Sequence, residues 1–228
     1  MTLVFVAAEE REFDGLLNHL QRVEKPHWAV RFAARGSLDG RPVALVANGP
    51  GPALAKAAAE EAKKRLDGVD GFVSTGYCGA LDNGLKPWGI VVASEVNGSA
   101  VNQPAAGLDY VGGPMLSQDR VAGTAEEKSR LRESGAIAVE MEAAGVGQVA
   151  REAGVPFYCI RVVTDAASQT LPLDFNRMRD ARGRFSRARI LAAAARRPRR
   201  ILPELMKLRR TCKGASLALG DFIANCRF

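Results

Sequence analysis

The residues Val139-Glu140-Met141-Glu142-Ala143-Ala144-Gly145-Val146 set the architecture of this chain, because two acids lie where an apolar run becomes a helical pattern. Residues 136–139 predict a short buried strand, and small and apolar residues then recur at helical spacing. In α/β proteins, ligands bind beyond the carboxyl ends of strands. The strand-to-helix junction is therefore a candidate site.

The two acids of this stretch, Glu140 and Glu142, are two residues apart, so their side chains point the same way in an extended strand. One of them can then be structural while the other binds a ligand. The alternative is a surface acid pair that caps the following helix. The stretch alone does not distinguish these interpretations.

Length and composition favour a single large α/β domain. The chain has 228 residues, of which 47% are hydrophobic, and no run approaches the roughly 18 apolar residues of a membrane span. The first residues lack the basic segment of a secretory signal. The four cysteines are widely spaced without a CxxC pair, which predicts free thiols in a cytoplasmic protein and no metal site.

The first third of the chain alternates strands with helices. Residues 2–8 predict a buried parallel strand, followed by acids at 9–12 and a helix through Leu20. These acids either stabilise the helix dipole or place Glu12 in a site. Residues 28–34 and 42–47 predict a hairpin with an Asp-Gly turn.

The glycine-rich residues 48–52 precede a predicted helix at 53–66, an arrangement that can bind an anion. Further strands are predicted at 71–75, 90–94 and 157–163, with an extended piece at 117–121. They are separated by a loop at 97–114, a helix that begins after a capping box at Thr124 and ends near residue 132, and the helix after Glu142. The pattern predicts a three-layer αβα fold with a mixed, mostly parallel central sheet.

Three acids, Glu12, Glu142 and Asp165, follow three predicted strands and should converge at one edge of the sheet. Cleavage of a C–N glycosidic bond needs groups that protonate the leaving base, bind the sugar hydroxyls and position a nucleophile. The two histidines, His19 and His27, both belong to the first helix and its exit, which makes a Ser-His-Asp triad implausible.

Five segments together resemble the purine nucleoside phosphorylase and methylthioadenosine nucleosidase superfamily. They are AAEEREF (7–13), NGPG (48–51), STGYCGALDNGLKPWGIVVASEV (74–96), AVEMEAAGV (138–146) and RVVTDAA (161–167). The resemblance covers residues 1–175, as a catalytic domain, and leaves 176–228 as a basic helical extension of the same domain. It implies a homo-oligomer that binds a purine nucleoside.

The resemblance also implies roles for individual residues. Glu142 would bind the ribose hydroxyls, with Met141 packing on the sugar. Asp165 would act on purine N7, which requires a protonated carboxyl at one stage. Glu12 would orient the attacking group. Contacts to the base would come from Arg120, Val121 and Thr164.

The nucleophile is either phosphate or water. Tyr77 stands where related sequences usually have a small hydroxyl residue, and the arginines of phosphate-using members have no clear counterparts. No cofactor is expected, with inorganic phosphate as the expected co-substrate. Candidate residues for the phosphate or water site are Arg11, Gly49, Tyr77, Cys78 and Gly79.

The C-terminal part is strongly basic, with 14 basic and two acidic residues between Arg177 and Lys213. A basic amphipathic helix can contact the inner membrane surface, or it can simply pack on the core. Nucleic acid is not expected, because no aromatic platform accompanies the charges. Residues 196–210, RRPRRILPELMKLRR, resemble the tails of hopanoid-associated phosphorylases, which implies adenosylhopane as substrate.

The sequence thus predicts an enzyme that cleaves the N-ribosyl bond of an adenine nucleoside, by phosphorolysis of a lipid-linked adenosine such as adenosylhopane. One alternative is a hydrolytic 5′-methylthioadenosine/S-adenosylhomocysteine nucleosidase. Another is an inactive nucleoside-binding or membrane-associated protein.

Overall fold

A computed structural model describes residues 1–228. The strands are β1 (Thr2–Ala7), β2 (Gln21–Glu24), β3 (Phe32–Leu38), β4 (Arg41–Ala47), β5 (Val69–Ala80), β6 (Ile90–Val96), β7 (Ser99–Ala100), β8 (Ala105–Ala106), β9 (Val111–Ser117), β10 (Ala138–Glu140), β11 (Phe157–Asp165) and β12 (Cys226–Arg227). The helices are α1 (Asp14–Leu17), α2 (Pro52–Arg65), α3 (Ala125–Arg132), α4 (Ala143–Ala153), α5 (Arg187–Arg196) and α6 (Pro198–Ala224).

The central sheet is mixed and has the strand order β10-β9-β6-β11-β5-β1-β4-β3-β2. Strands β4, β1, β5 and β11 run parallel to one another, whereas β6 is antiparallel to β11. Strand β10 pairs with both β9 and β5, so one end of the sheet closes on itself. This closure brings the end of β10 next to the ends of β5 and β11.

Helices cover both faces of the sheet, as predicted. Alternate residues of β1 point to opposite sides: Leu3 and Phe5 pack in a cluster with α6, and Val4 and Val6 pack in a cluster with α2 and α4. A strand that is covered on both faces must be apolar throughout, which explains the continuous buried run of β1. The predicted αβα fold class is confirmed.

The segment after β1 differs from the prediction. A 3₁₀ turn at Glu10–Phe13 and the single turn α1 replace the expected helix, and Leu20 lies outside it. The unpredicted strand β2 follows at the sheet edge, where all of its residues are exposed. An exposed edge strand has no alternating buried positions to reveal it, and that is why the pattern missed it.

Other predicted boundaries were also wrong. Strand β3 begins at Phe32 rather than at residue 28. The extended piece predicted at 117–121 shares only Ser117 with β9, which begins at Val111 inside the predicted loop 97–114. Strand β9 is rich in glycine, and a Cβ at Gly113 would lie 2.6 Å from Ile137. Glycine here marks close packing rather than a loop. In the tail, α6 continues through Pro203 without a break.

The C-terminal half of α6 belongs to the hydrophobic core. Ala215, Leu219, Phe222 and Ile223 are buried against the sheet. Helix α6 crosses α1 at very short range, since a Cβ at Gly220 would lie 2.1 Å from a backbone carbon of Gly15. Only glycine permits this approach. None of the helices offers a stretch long and apolar enough to cross a membrane.

Replacing Gly220 with Ala should push α6 away from α1, because the new methyl group meets backbone atoms that cannot turn aside. We expect the free energy of unfolding to fall by about 3 kcal/mol. Gly123→Ala is the matched control, since a Cβ at that position would have no neighbouring atom within 4 Å. Urea unfolding of both variants makes the comparison, and equal stabilities would contradict the docking of α6 through this contact.

Candidate active site

One cavity of about 190 Å³ lies at the carboxyl ends of β1, β5, β10 and β11. Nearly all of the residues predicted for the site line it: Arg11, Glu12, Tyr77, Cys78, Gly79, Arg120, Val121, Met141, Glu142, Thr164 and Asp165. Gly49 is the exception and does not lie on its wall. The structure therefore brings the three acids of the distant strand ends into one enclosure.

The two acids of the β10–α4 junction have different partners. Glu140 accepts hydrogen bonds from the backbone N–H groups of Glu142 (2.8 Å) and Ala143 (2.9 Å), and so caps α4. Glu142 accepts the N–H of Gly51 at 3.1 Å. Both acids are buried, which excludes the surface pair. Both carboxylates reach the cavity, and Glu140 has the structural task of capping α4 as well.

Arg161 is the cation behind these acids, and the sequence prediction missed it. Its side chain is fully buried and forms ion pairs with Glu140 and, at 3.3 Å, with Glu142. It also donates to the Thr75 carbonyl (2.7 Å) and to Ser74 Oγ (2.6 Å). An arginine in the middle of a central apolar strand was the available signal, because such a charge needs buried partners.

Glu12 reaches the cavity through a space that Gly76 leaves open. A Cβ at position 76 would lie 1.9 Å from Glu12 Oε2, and Gly76 has φ +128°. The carboxyl accepts backbone N–H groups from Glu9 at 3.0 Å and from Tyr77 at 3.1 Å. Burial raises the pKa of Glu12 to about 8, and the nearby Glu142 carboxylate adds to the rise.

The charges around Arg161 do not balance if every acid is ionised, because one guanidinium faces the carboxyls of Glu12, Glu140 and Glu142. Burial also raises the pKa of Glu142; Arg161 opposes this rise and Glu140 adds to it. This arrangement favours the neutral form of one carboxyl, and Glu12, which has no ion pair of its own, has its pKa raised to about 8.

Asp165 forms an ion pair with Lys128, a fully buried residue of α3. Lys128 Nζ also donates to the carbonyls of Ala166 (2.8 Å) and Gln169 (3.1 Å). Thr164 donates its hydroxyl to Asp165 Oδ1 at 2.9 Å, so it contacts the acid directly. Sequence reasoning missed Lys128 because the charged residues around it in α3 are typical of an exposed helix.

The glycine-rich loop supports the acids. The N–H of Gly49 donates to the Ala8 carbonyl at 2.9 Å, and the N–H of Gly51 is used by Glu142. Gly51 has φ +105°, and a Cβ there would lie 2.6 Å from Asp119 Oδ1. These two amides are therefore not free to bind an anion, unlike those of a phosphate-binding loop.

The tail supplies part of the cavity wall. Phe185, Leu208 and Cys212 line it, next to Phe175 at the end of the catalytic part. The hydroxyl of Tyr77 donates to the Cys212 carbonyl at 3.0 Å, which connects the strand end of β5 to α6. On the same wall, Arg120 forms an ion pair with Glu127 at 2.9 Å. The basic extension thus folds back over the pocket.

A cavity lined by buried acids at the strand ends of an αβα sheet is the active-site layout of an α/β enzyme. The chain belongs to the Phosphorylase superfamily, whose sequence model matches residues 2–115 and 105–196. The predicted superfamily and the enzyme class, nucleoside phosphorylase or nucleosidase, are confirmed at this level.

Solved structures share the fold over nearly the whole chain. The 5′-methylthioadenosine/S-adenosylhomocysteine nucleosidase of Neisseria meningitidis, in complex with methylthio-immucillin-A, has a TM-score of 0.72 at 21% identity, covering 98% of this chain and 97% of that one. The Streptococcus pneumoniae MTA/SAH nucleosidase, in complex with 8-aminoadenine, gives 0.73 at 16%, with coverages of 99% and 98%. Futalosine hydrolase of Helicobacter pylori gives 0.70 at 16%, with coverages of 98% and 95%.

The proton on Glu12 can be detected through stability. Between about pH 4.5 and pH 8, folded wild type retains a proton that the unfolded chain releases, so its free energy of unfolding falls as pH rises. Glu12→Gln removes this titration. The stability difference, variant minus wild type, should increase across this window by on the order of 2–4 kcal/mol and then level off. Urea unfolding at a series of pH values measures it, and a constant difference would contradict a proton on Glu12.

Proposed function

We propose that this protein cleaves the N-ribosyl bond of an adenine nucleoside, with phosphate as the attacking group. The observation that carries the proposal is the convergence of Glu142, Asp165 and Glu12 on one cavity. Each acid has different partners, so the three can take different tasks. Differences in environment between carboxyls are what allow one to act as an acid and another as an anion.

In this proposal Glu142 grips the ribose hydroxyls. Its carboxylate is fixed by the Gly51 amide and by Arg161, so it can accept hydrogen bonds from the hydroxyls without rearranging. A fixed negative charge beside the sugar also stabilises positive charge that develops at the anomeric carbon. Met141, on the same wall, packs against the sugar.

Asp165 stabilises the departing base at N7 in the same proposal. Lys128 and the Thr164 hydroxyl hold the carboxyl in place. Gly79 leaves room for it, since a Cβ there would lie 3.0 Å from Oδ2. A preorganised group at the leaving atom lowers the barrier without reorganisation during reaction. Val121 and Arg120 form the base-facing wall.

Two observations bear on the nucleophile. A protonated Glu12 would not repel an incoming phosphate, and Arg11, which makes no ion pair, lies on the cavity wall as a cation. Against this, the amides of Gly49, Gly51 and Tyr77 are already used. Water oriented by Glu12 is therefore the alternative, as in a hydrolytic nucleosidase.

For the substituent at the ribose 5′ position we propose an apolar group, as in a lipid-linked adenosine such as adenosylhopane. The support is the apolar wall that Phe175, Phe185 and Leu208 contribute. Residues 176–228 would then act as the substrate-selecting extension of the catalytic part, 1–175. The alternative substrates are methylthioadenosine and S-adenosylhomocysteine. Several proteins of the same fold are nucleosidases named for these two compounds.

Release of free adenine tests the proposal. Wild type is incubated with adenosine, methylthioadenosine, S-adenosylhomocysteine and a 5′-alkyl adenosine, each with and without phosphate. We expect release that depends on phosphate and favours the alkyl substrate. Asp165→Asn should lower turnover about 100-fold or more, because an amide cannot take a proton from Lys128 and pass it to the base.

Asp221→Asn is the control, since this acid is exposed and its side chain pairs only with His19. Thermal melting confirms that each variant is folded. Release without phosphate would assign water as the nucleophile. No release from any nucleoside would favour an inactive binding protein.

We also propose that α5 and α6 contact an anionic membrane surface. Leu191 is 66% exposed, Leu202 45% and Met206 57%, so large apolar side chains face solvent. Exposed basic residues surround them: Arg196, Arg197, Arg199, Arg200, Arg209 and Arg210. Apolar groups flanked by cations are the composition that binds at the interface of anionic lipids.

Vesicle flotation tests this contact. Wild type should bind vesicles that contain phosphatidylglycerol but not pure phosphatidylcholine vesicles, and added salt should weaken binding through screening. The double variant Leu202→Ser, Met206→Ser should bind several-fold more weakly, whereas Leu108→Ser, an exposed apolar residue outside α5 and α6, should not. Equal binding to both vesicle types would contradict the proposal.

A further inference from the structure

At the cavity wall, the side chain of Asn176 is hydrogen-bonded to backbone groups of Val121 with which a purine base could pair. Val121 lies on the cavity wall, and its N–H donates to Asn176 Oδ1 at 2.8 Å. The Val121 carbonyl accepts from Asn176 Nδ2 at 2.9 Å. The two hydrogen bonds therefore engage both polar groups of one residue with a single carboxamide.

A carboxamide and a purine edge offer the same pair of groups. The amide of Asn176 presents an acceptor oxygen beside a donor nitrogen, and adenine presents the acceptor N1 beside its exocyclic amine. Either can therefore pair with the N–H and C=O of Val121. The two cannot pair with them at the same time.

Asn176 lies on a strap, defined as residues 171–186, which crosses the cavity. Arg179 fastens the strap to Asp119, with Nη2 2.8 Å from Oδ1 and Nη1 3.0 Å from the carbonyl oxygen. Arg184 fastens it to Asn48, at 2.7 Å from Oδ1. These two anchors are polar side-chain contacts, and at the start of the strap the Leu171 N–H donates to the Gly123 carbonyl at 2.8 Å.

The strap has no buried anchor of its own. No residue between Ala167 and Ala194 is buried, and Phe175 and Phe185 pack edge to face at 5.9 Å while they line the cavity. Displacing the strap would expose little core surface. Segments with few buried contacts open at low cost in free energy.

We propose that Asn176 is an internal competitor of the base, so that a purine binds only when the strap releases Val121. The inference rests on the proposed function, because it takes Val121 as the base-facing edge. It also identifies Asn176 as a determinant of affinity for the free base. By competing with adenine for Val121, the Asn176 carboxamide weakens adenine binding and speeds its release.

Adenine titrated into the full-length protein by calorimetry provides the test. Asn176→Ala frees the Val121 edge, and adenine should then bind about tenfold more tightly, since the competitor contributes two hydrogen bonds of modest net strength. Asn225→Ala is the control, an exposed asparagine whose side chain bonds only to the Asp221 carbonyl, and it should match wild type.

Arg179→Met provides a second arm, because it releases the strap from Asp119 without touching Val121. It should also tighten adenine binding, which a merely damaged structure would not do. Equal or weaker binding by Asn176→Ala overturns the inference while leaving the proposed function intact. Failure of adenine to bind wild type and both strap variants overturns the two together.

Discussion

The ion pair between buried Arg161 and the acids at the end of β10 is the constraint on which the rest of the site depends. A guanidinium with no exposed surface is stable only if buried acceptors surround it, and here they come from β5 and from the β10–α4 junction. These are the elements whose pairing closes the end of the sheet. The closure of the sheet between β5 and β10 therefore also brings together the acceptors that the buried Arg161 needs.

This constraint also separates the two acids that the sequence could not distinguish. Glu140 also lines the cavity, but its carboxylate is bonded to Arg161 and to the first N–H groups of α4. Glu142 lies on the same wall and pairs with Arg161 at 3.3 Å, but the helix-capping N–H groups are not its partners. The third carboxyl, Glu12, has no ion pair, and its burial together with the nearby Glu142 carboxylate raises its pKa. The three carboxyls around this one cation therefore have different partners.

The sequence allowed the sheet, its covering helices and most of the cavity wall to be predicted, because buried strands and the acids that follow them leave continuous local patterns. It did not allow Lys128 or Asn176 to be predicted. Lys128 lies among exposed charges in α3, and Asn176 lies in a basic segment without a periodic pattern. Both acquire their roles only through residues more than thirty positions away in the chain. The prediction of β9 was wrong for a different reason. Its glycines are typical of a loop, but Gly113 is needed for close packing against Ile137.

The glycines of the matching segments show why such a site needs backbone space as much as acids. Gly76 leaves the volume that the Glu12 carboxyl fills, and Gly79 leaves room for Asp165. Gly51 adopts a positive φ that turns its N–H toward Glu142. Each acid therefore depends on a glycine of its own. A substitution at any of the three glycines would displace a carboxyl without removing it, so the geometry of the site depends on the residues that have no side chain.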